Sequence, residues 1–281
     1  MVPALSPSRA SDFMQCPLLY RFRVVDKLPE PATPAMARGT LVHAVLERLF
    51  DLPAPERTRA SAGDLLPTEW TRMVADRPEL AELVGDSDPA QTQTWFDEAL
   101  RLLERWFTLE DPTRLEPAER ELYVETEIDG LTLRGYIDRL DVAPDGRMRI
   151  VDYKTGRAPS EFFEARALFQ MKFYALVLWR LRDRVPTRLQ LVYLGNGEVV
   201  AYEPAESDLL AVERKLKALW TAIEHAATTG DFRPRPSRLC DWCQHRPLCP
   251  AWGGTPPPLP EGAALRAVDP RESGRPEVAV D

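Results

Sequence analysis

Apolar residues recur along this chain in two different periods. In the N-terminal half they return every three or four positions, which predicts amphipathic helices. The clearest helical segments are residues 7–15, 37–50 and 91–109. Between the last two, residues 51–90 are rich in Pro, Asp and Glu, and the pattern predicts only loops and short helices there.

From residue 121 the period changes to alternation of apolar and polar positions, which is typical of strands. The predicted strands are residues 121–128, 131–142, 147–154, 188–194 and 198–203. Asp129-Gly130, Pro144-Asp145-Gly146 and Asn196-Gly197 are turn signals between neighbouring strands. Long helical patterns occupy residues 161–181 and 206–227. This order predicts an α/β domain with a central mixed β-sheet flanked by helices.

Composition fits a soluble globular domain, with 281 residues of which 44% are hydrophobic. No run of about 18 apolar residues occurs, and the N-terminus lacks the layout of a secretory signal, so we expect a cytoplasmic protein without membrane contact. We interpret residues 1–252 as one domain. Little apolar content follows Trp252, and this predicts a disordered tail over residues 253–281.

The net charge of −8 is unevenly distributed. Residues 51–130 hold 20 acidic and 8 basic side chains (−12), and residues 251–281 hold 5 and 3 (−2), which leaves +6 for the rest. We interpret residues 51–119 as an acidic, mainly helical insertion beside a mildly basic body. That distribution is compatible with a DNA partner, although plain surface charge for solubility explains the acidic stretch equally well.

Two aspartates and a lysine form the strongest chemical signal. If the predicted turn is centred on Asp145, then Asp138 lies opposite Asp152 across the hairpin, and strand alternation places Lys154 on the same face as Asp152. Two adjacent carboxylates repel unless a cation lies between them, and Mg²⁺ or Mn²⁺ is the natural candidate. Such an ion lowers the pKa of an attacking water, which suits phosphodiester hydrolysis. An exposed ion pair on a surface hairpin is the alternative.

The same residues carry a family resemblance. Asp138 and the run from Val151 to Gly156 (VDYKTG) resemble the core motifs of the RecB-like PD-(D/E)xK exonucleases, a group that includes AddB-type and CRISPR-associated adaptation nucleases. The segment GTLVH ending at His43 resembles the histidine motif of the family. QMKFY, from Gln170 to Tyr174, resembles its Gln-x-x-x-Tyr motif. The resemblance implies a restriction-endonuclease-like sheet.

The resemblance also implies a role for each matched position. The implied metal ligands are His43, Asp138, Asp152 and the backbone carbonyl of Tyr153, and the implied catalytic residues are Asp138, Asp152, Lys154, Gln170 and Tyr174. By residue type alone, His43 is equally typical of a packed helix residue, and Gln170 and Tyr174 of helix-surface and core-edge residues. Glu125, on the preceding predicted strand, is a further candidate to face the site.

All four cysteines fall in two places: Cys16, and the group Cys240, Cys243 and Cys249. In a cytosolic chain this spacing favours metal ligation over disulfides. A local zinc site formed by the C-terminal group with His245 is one solution, and it leaves Cys16 free. The resemblance implies instead that all four cysteines hold a 4Fe-4S cluster, which would join the N- and C-terminal segments.

The sequence therefore predicts a metal-dependent DNA nuclease. The resemblance implies that it is an exonuclease of repair or recombination that acts on single-stranded ends. A CRISPR adaptation nuclease and a non-catalytic iron-sulfur scaffold subunit are the alternatives. No phosphate-binding loop GxxxxGK[ST] occurs, so a helicase partner would be a separate chain, as would a CRISPR adaptation protein. Some aromatic and basic residues could contact DNA, or could equally be core aromatics and solvated charges. These residues are Phe13, Tyr20, Phe22, Arg21, Arg23, Arg233, Arg235 and Arg238.

Overall fold

The computed structural model describes residues 4–84, 89–158 and 161–268, without the side chains of 161–166. Its centre is a five-stranded sheet in the order β1-β2-β3-β4-β5. The strands are β1 (Glu119–Ile128), β2 (Leu131–Val142), β3 (Met148–Lys154), β4 (Arg188–Tyr193) and β5 (Glu198–Tyr202). Only β3 and β4 run parallel, while the other neighbours are antiparallel. The predicted mixed sheet is confirmed.

Helices cover both faces of this sheet. In the described residues they are α1 (Pro7–Gln15), α2 (Pro17–Tyr20), α3 (Pro34–Leu49), α4 (Arg59–Asp76), α5 (Glu79–Val84), α6 (Pro89–Leu109), α7 (Glu161–Arg182), α8 (Glu206–Thr229) and α9 (Ala263–Arg266). The crossover between parallel β3 and β4 is made by α7, as a parallel pair requires. None of these helices has the length and apolar character needed to cross a membrane.

Short polar side chains set the start of several helices. Ser6 Oγ accepts a hydrogen bond from the backbone N–H of Arg9 at 3.3 Å, and Pro7 occupies the first turn of α1. Thr33 caps α3 in the same way, accepting from the N–H of Met36 at 3.2 Å. Each cap satisfies a backbone donor that has no partner within the helix. The capping residues therefore set the first residue of α1 and of α3, and both helices approach the predicted site.

Alternate side chains of β3 point into two different hydrophobic cores, one on each face of the sheet. Ile150 faces a core built with α1, α7 and α8, whereas Val151 and Tyr153 face a second core built with α3, α4, α5 and α6. The neighbouring strand β4 repeats the division, with Leu191 in the first core and Val192 in the second. Successive strand residues point to opposite faces, so a sheet buried on both sides needs this continuous apolar run.

Two expectations about organisation were wrong. Residues 51–90 contain the 18-residue helix α4, which continues through Pro67 because its buried face packs against α3 and α6. The helices of the acidic segment form the layer over one face of the sheet. Residues 253–268 do not form a disordered tail: Ala264 and Val268 are 4% and 9% exposed in the first core. The remainder of the predicted tail, 269–281, lies outside the described residues.

A buried ion network fixes the second layer of helices to the sheet. Arg139 on β2 is 1% exposed and donates to both carboxylate oxygens of Glu110, just after α6, at 2.7 and 2.8 Å. Its guanidinium also pairs with Asp141 at 3.1 Å and donates to the hydroxyl of Tyr153. Trp106 Nε1 donates to Glu110 at 2.8 Å. Because Arg139 adjoins Asp138 in sequence, this network also fixes the backbone of the predicted site.

Replacing Arg139 with methionine should strongly destabilise the protein. The substitution leaves Glu110 as a buried carboxylate without its cation, which typically costs about 3–5 kcal/mol. Equilibrium denaturation in urea measures the loss. Arg149→Met is the matched control, because Arg149 pairs with the same network at Asp141 but is 30% exposed, and we expect a cost of about 1 kcal/mol or less. Equal midpoints for the two variants would contradict the importance of the network.

Candidate active site

The sheet opens where the predicted catalytic residues lie. Pairing between β2 and β3 ends at Arg139 and Val151, after which β2 stays with β1 and β3 stays with β4. The two strands therefore form a fork. Leu5 takes the exposed edge of β2 through backbone hydrogen bonds of 2.9 and 3.1 Å. Asp138 and Asp152 are the first residues past the last pair, so the register places them opposite one another at the fork.

Asp138 is held by backbone and histidine contacts. Because pairing has ended, the N–H of Tyr153 is free to donate to Asp138 Oδ2, at 2.7 Å. His43 on α3 brings Nδ1 to 3.5 Å from the same oxygen and Nε2 to 3.0 Å from the carbonyl oxygen of Tyr153. The structure thus brings together three of the predicted metal-ligating groups: the imidazole, the Asp138 carboxylate and the Tyr153 carbonyl.

The other predicted residues meet on the α7 side of the fork. Asp152 is 2% exposed, and its Oδ2 lies 2.6 Å from Lys154 Nζ. Gln170 on α7 joins the two, donating to Asp152 Oδ1 at 3.0 Å and accepting from Lys154 Nζ at 3.2 Å. Tyr174, one turn later, has its hydroxyl 3.5 Å from Gln170 Nε2. A Cβ added at Gly135 would lie 2.7 Å from the Tyr174 ring, so the glycine leaves room for it.

Glu121 is a site residue that the sequence reasoning missed. It has a positive φ of 44° and lies between Arg120 and Leu122, whose strand partners Arg139 and Ile137 flank Asp138. Ligand atoms of Glu121, His43 and Asp138 all lie within 4.8 Å of one another. Reflection about the predicted β1–β2 turn, the argument that paired the two aspartates, would have found it. Glu125, the residue proposed instead, is exposed and accepts a hydrogen bond from the hydroxyl of Tyr123.

Crowded carboxylates make this site electrostatically incomplete. Burial raises the pKa of Asp138 well above its usual range, and the neighbouring charge of Asp152 adds to the rise. Burial, with the charges of Glu47 and Asp152, raises the pKa of Glu121 from 4.5 to about 7. Burial lowers the pKa of His43, which keeps the imidazole neutral and able to ligate. Oxygen donors plus one neutral imidazole fit a divalent cation, whose charge would relieve the repulsion.

An open groove of about 900 Å³ runs past these groups. Lys154, Gln170 and Tyr174 line it, together with residues of α1 such as Ser8 and Ser11. Because this groove is open to solvent, it can admit an extended polymer as well as a small ligand. The Lys154 side chain is 31% exposed here, so a molecule in the groove can reach it.

Cys16 lies at the end of α1, and the other three cysteines lie in the short turns after α8. All are free thiols, and all four line one cavity between Cys16, at the end of α1, and the short turns that follow α8. Backbone N–H groups donate to two of the sulfurs at 3.3 Å: that of Arg235 to Cys16 and that of Ser237 to Cys240.

This arrangement does not favour the local zinc site. His245 is 5% exposed, with Nε2 2.8 Å from Glu30. Four thiolates around zinc lie about 3.8 Å apart, given Zn–S bonds near 2.3 Å. Among the residues that the structure describes, no three cysteine sulfurs come within 4.8 Å of one another.

The aromatic residues suggested for DNA stacking belong to the core. Phe13, Tyr20 and Phe22 are 8%, 1% and 2% exposed, so they have no free face for a base. Arg21 is also buried, where it pairs with Asp26 at 3.0 Å. These positions follow a helical period, and the sequence alone does not show which of them face the core and which face the groove.

Comparison with known proteins identifies the class. The family model for the PD-(D/E)XK nuclease superfamily matches residues 4–250, and the chain belongs to that superfamily. It is 27% identical to the Gene 69 protein of Mycobacterium phage D29, over 89% of this chain and 98% of that protein. The Gene 69 protein of Mycobacterium phage L5 is 30% identical, over 47% of this chain and 44% of its own length.

A solved structure shares the fold. It is that of a provisionally assigned exonuclease from Eubacterium rectale, with a TM-score of 0.56, 14% identity, and coverage of 86% of this chain and 88% of that one. The mixed sheet with flanking helices is consistent with a restriction-endonuclease-like fold, and the superfamily makes this chain a nuclease.

Glu121→Gln should stabilise the metal-free protein as pH rises. Between pH 4.5 and about 7 the unfolded chain loses the Glu121 proton while the folded state keeps it, so wild-type stability falls across this window. Glutamine does not titrate. We expect the variant to gain about 1–2 kcal/mol relative to wild type, less than the full shift implies because the carboxylate is half-buried and screened.

Urea denaturation at several pH values, with a chelator present, measures this gain. Glu125→Gln is the matched control, because it removes an exposed carboxylate from the same strand. An equal gain in the two variants would contradict the electrostatic account of Glu121.

Proposed function

We propose that this chain is a Mg²⁺- or Mn²⁺-dependent DNA exonuclease that degrades single-stranded ends in repair or recombination. The observation that carries the proposal is the convergence of Asp138, Asp152 and Lys154 at the fork, beside an open groove. The resemblance to RecB-like enzymes, and the exonuclease name given to a protein of the same fold, support the preference for ends.

The residues at the fork divide into holding and positioning groups. His43, Asp138, Asp152 and the Tyr153 carbonyl would hold the cation, with Glu121 close enough to join them. A bound divalent cation supplies Lewis acidity toward a phosphate oxygen and lowers the pKa of water.

Lys154 is placed to orient the attacking water or to stabilise negative charge that develops on the phosphate. Gln170 fixes the lysine against Asp152, because its amide bonds both partners at 3.0 and 3.2 Å. Tyr174 supports the amide from the next turn of α7.

We also propose that the four cysteines hold a 4Fe-4S cluster. Their common cavity joins the end of α1 to the segment after α8, and two of the sulfurs already accept backbone hydrogen bonds. A cluster of four irons spaces its thiolates more widely than a single zinc ion does. Its role would be structural, since it would close a loop of more than 200 residues.

The nuclease proposal is tested on end-labelled linear and closed circular single-stranded DNA with Mn²⁺ or Mg²⁺. We expect the linear strand to be degraded and the circle to survive. Asp152→Ala and Lys154→Ala should each lower the rate by about 10²-fold or more. Lys172→Ala is the matched control, since this lysine of α7 bonds Tyr202 on β5 and should keep full activity.

Other outcomes separate the alternatives. Cleavage of the circle would contradict the preference for ends. A protein that binds DNA but cuts neither substrate would favour the scaffold reading. Co-occurrence of the gene with CRISPR adaptation genes would favour a role in spacer acquisition, whereas a neighbouring helicase gene would favour repair.

The cluster proposal is tested by anaerobic purification. We expect brown protein that absorbs near 400 nm and contains equal amounts of iron and inorganic sulfide. Cys249→Ser should lose the colour and destabilise the fold by up to about 4–5 kcal/mol, the chain-entropy value for a loop of this length. A colourless protein that carries stoichiometric zinc would overturn the assignment.

A further inference from the structure

Two tyrosines lie side by side on the outer face of β1 and β2. Tyr123 and Tyr136 are 47% and 57% exposed, and they are directly paired in the strand register. Their ring centroids are 5.2 Å apart with planes inclined at 56°. Their sequence neighbours Val124 and Ile137 point to the opposite face and are buried, so the outward direction of the tyrosines follows from strand alternation.

The pair is ordered without being covered. Each ring contacts the other, and the Tyr123 hydroxyl donates to the carboxylate of Glu125 on the same strand. A tyrosine side chain has only two rotatable angles, so a ligand that stacks on a held ring loses little conformational entropy. Exposed apolar surface of this kind gains free energy when something packs on it.

The position of the pair points to the occupant. Tyr136 lines the same groove as Lys154, Gln170 and Tyr174. It precedes Asp138 by two residues on β2, which is about 7 Å along a strand. Consecutive nucleotides of a stacked strand are about 3.4 Å apart, so the pair lies within about two nucleotides of the metal-ligating groups.

We propose that Tyr136, supported by Tyr123, forms a stacking surface for unpaired bases of the DNA strand whose phosphodiester bond is cut. This proposal rests on the proposed nuclease function and specifies how its substrate is recognised. Every base has an aromatic face, so stacking tolerates any sequence. A base inside a duplex is already stacked on its neighbours, so the surface selects single strands and frayed ends.

Binding of fluorescein-labelled oligo(dT) by anisotropy tests the proposal, with Ca²⁺ in place of Mg²⁺ to suppress cleavage. We expect Tyr136→Ala to weaken binding about 5- to 150-fold, the change that corresponds to about 1–3 kcal/mol for one stacked base. Tyr123→Ala should have a smaller effect in the same direction, and Tyr136→Phe should bind like wild type. Val199→Ala, which shortens an exposed side chain on β5, is the matched control.

An abasic strand of the same length separates stacking from other causes. It keeps the phosphates but offers no ring, so wild type and Tyr136→Ala should bind it equally. Equal loss on both strands, or unchanged binding of oligo(dT) by Tyr136→Ala, would overturn the proposal and leave the pair to a protein partner.

If wild type cuts DNA and only the tyrosine effects are missing, the nuclease function stands. If wild type neither binds nor cuts, both proposals fail.

Discussion

The main physical constraint on this structure is the repulsion among the carboxylates that lie at the fork. Asp138, Asp152 and Glu121 come from three neighbouring strands, and their partial burial removes the water that would otherwise screen them. Lys154 offsets part of this charge through its 2.6 Å contact with Asp152. The remaining repulsion costs stability in the metal-free protein, and a divalent cation held by these groups would relieve it. Crowded charges at functional sites commonly lower the stability of a fold.

Such a site must be held by rigid surroundings, and the two cores provide them. On one side, Arg139 and Glu110 anchor the backbone next to Asp138 to the end of α6, while α3 carries His43 to the fork. On the other side, α7 delivers Gln170 to Asp152 and Lys154. The acidic helical segment therefore has a direct bearing on the chemistry: it forms the layer against which α3 packs.

The N-terminal segment lines the groove beside the fork and also carries Cys16, which lines the cysteine cavity. Leu5 fills the edge that β2 exposes at the fork, and α1, which follows it, lines the groove before ending at Cys16. A restraint at Cys16 therefore acts on an element that also borders the substrate path. The C-terminal residues Ala264 and Val268 pack on the same core, which gives the N-terminal segment a second contact with the far end of the chain.

The sequence by itself determined the strands, the turn centres and hence the pairing of Asp138 with Asp152, because strand period and turn chemistry are local. It also determined that Lys154 shares a face with Asp152, and that Gln170 and Tyr174 share a helical face. The helix through Pro67 was not predictable in the same way, because its stability comes from packing against α3 and α6. The burial of the aromatic residues was not predictable either. Phe13, Tyr20 and Phe22 are buried, whereas Tyr123 and Tyr136 are exposed, because only the tertiary structure decides which helix and strand faces are covered. Glu121 is partly predictable from the sequence. The β1–β2 turn sets its strand register, but only the tertiary structure brings His43 beside it.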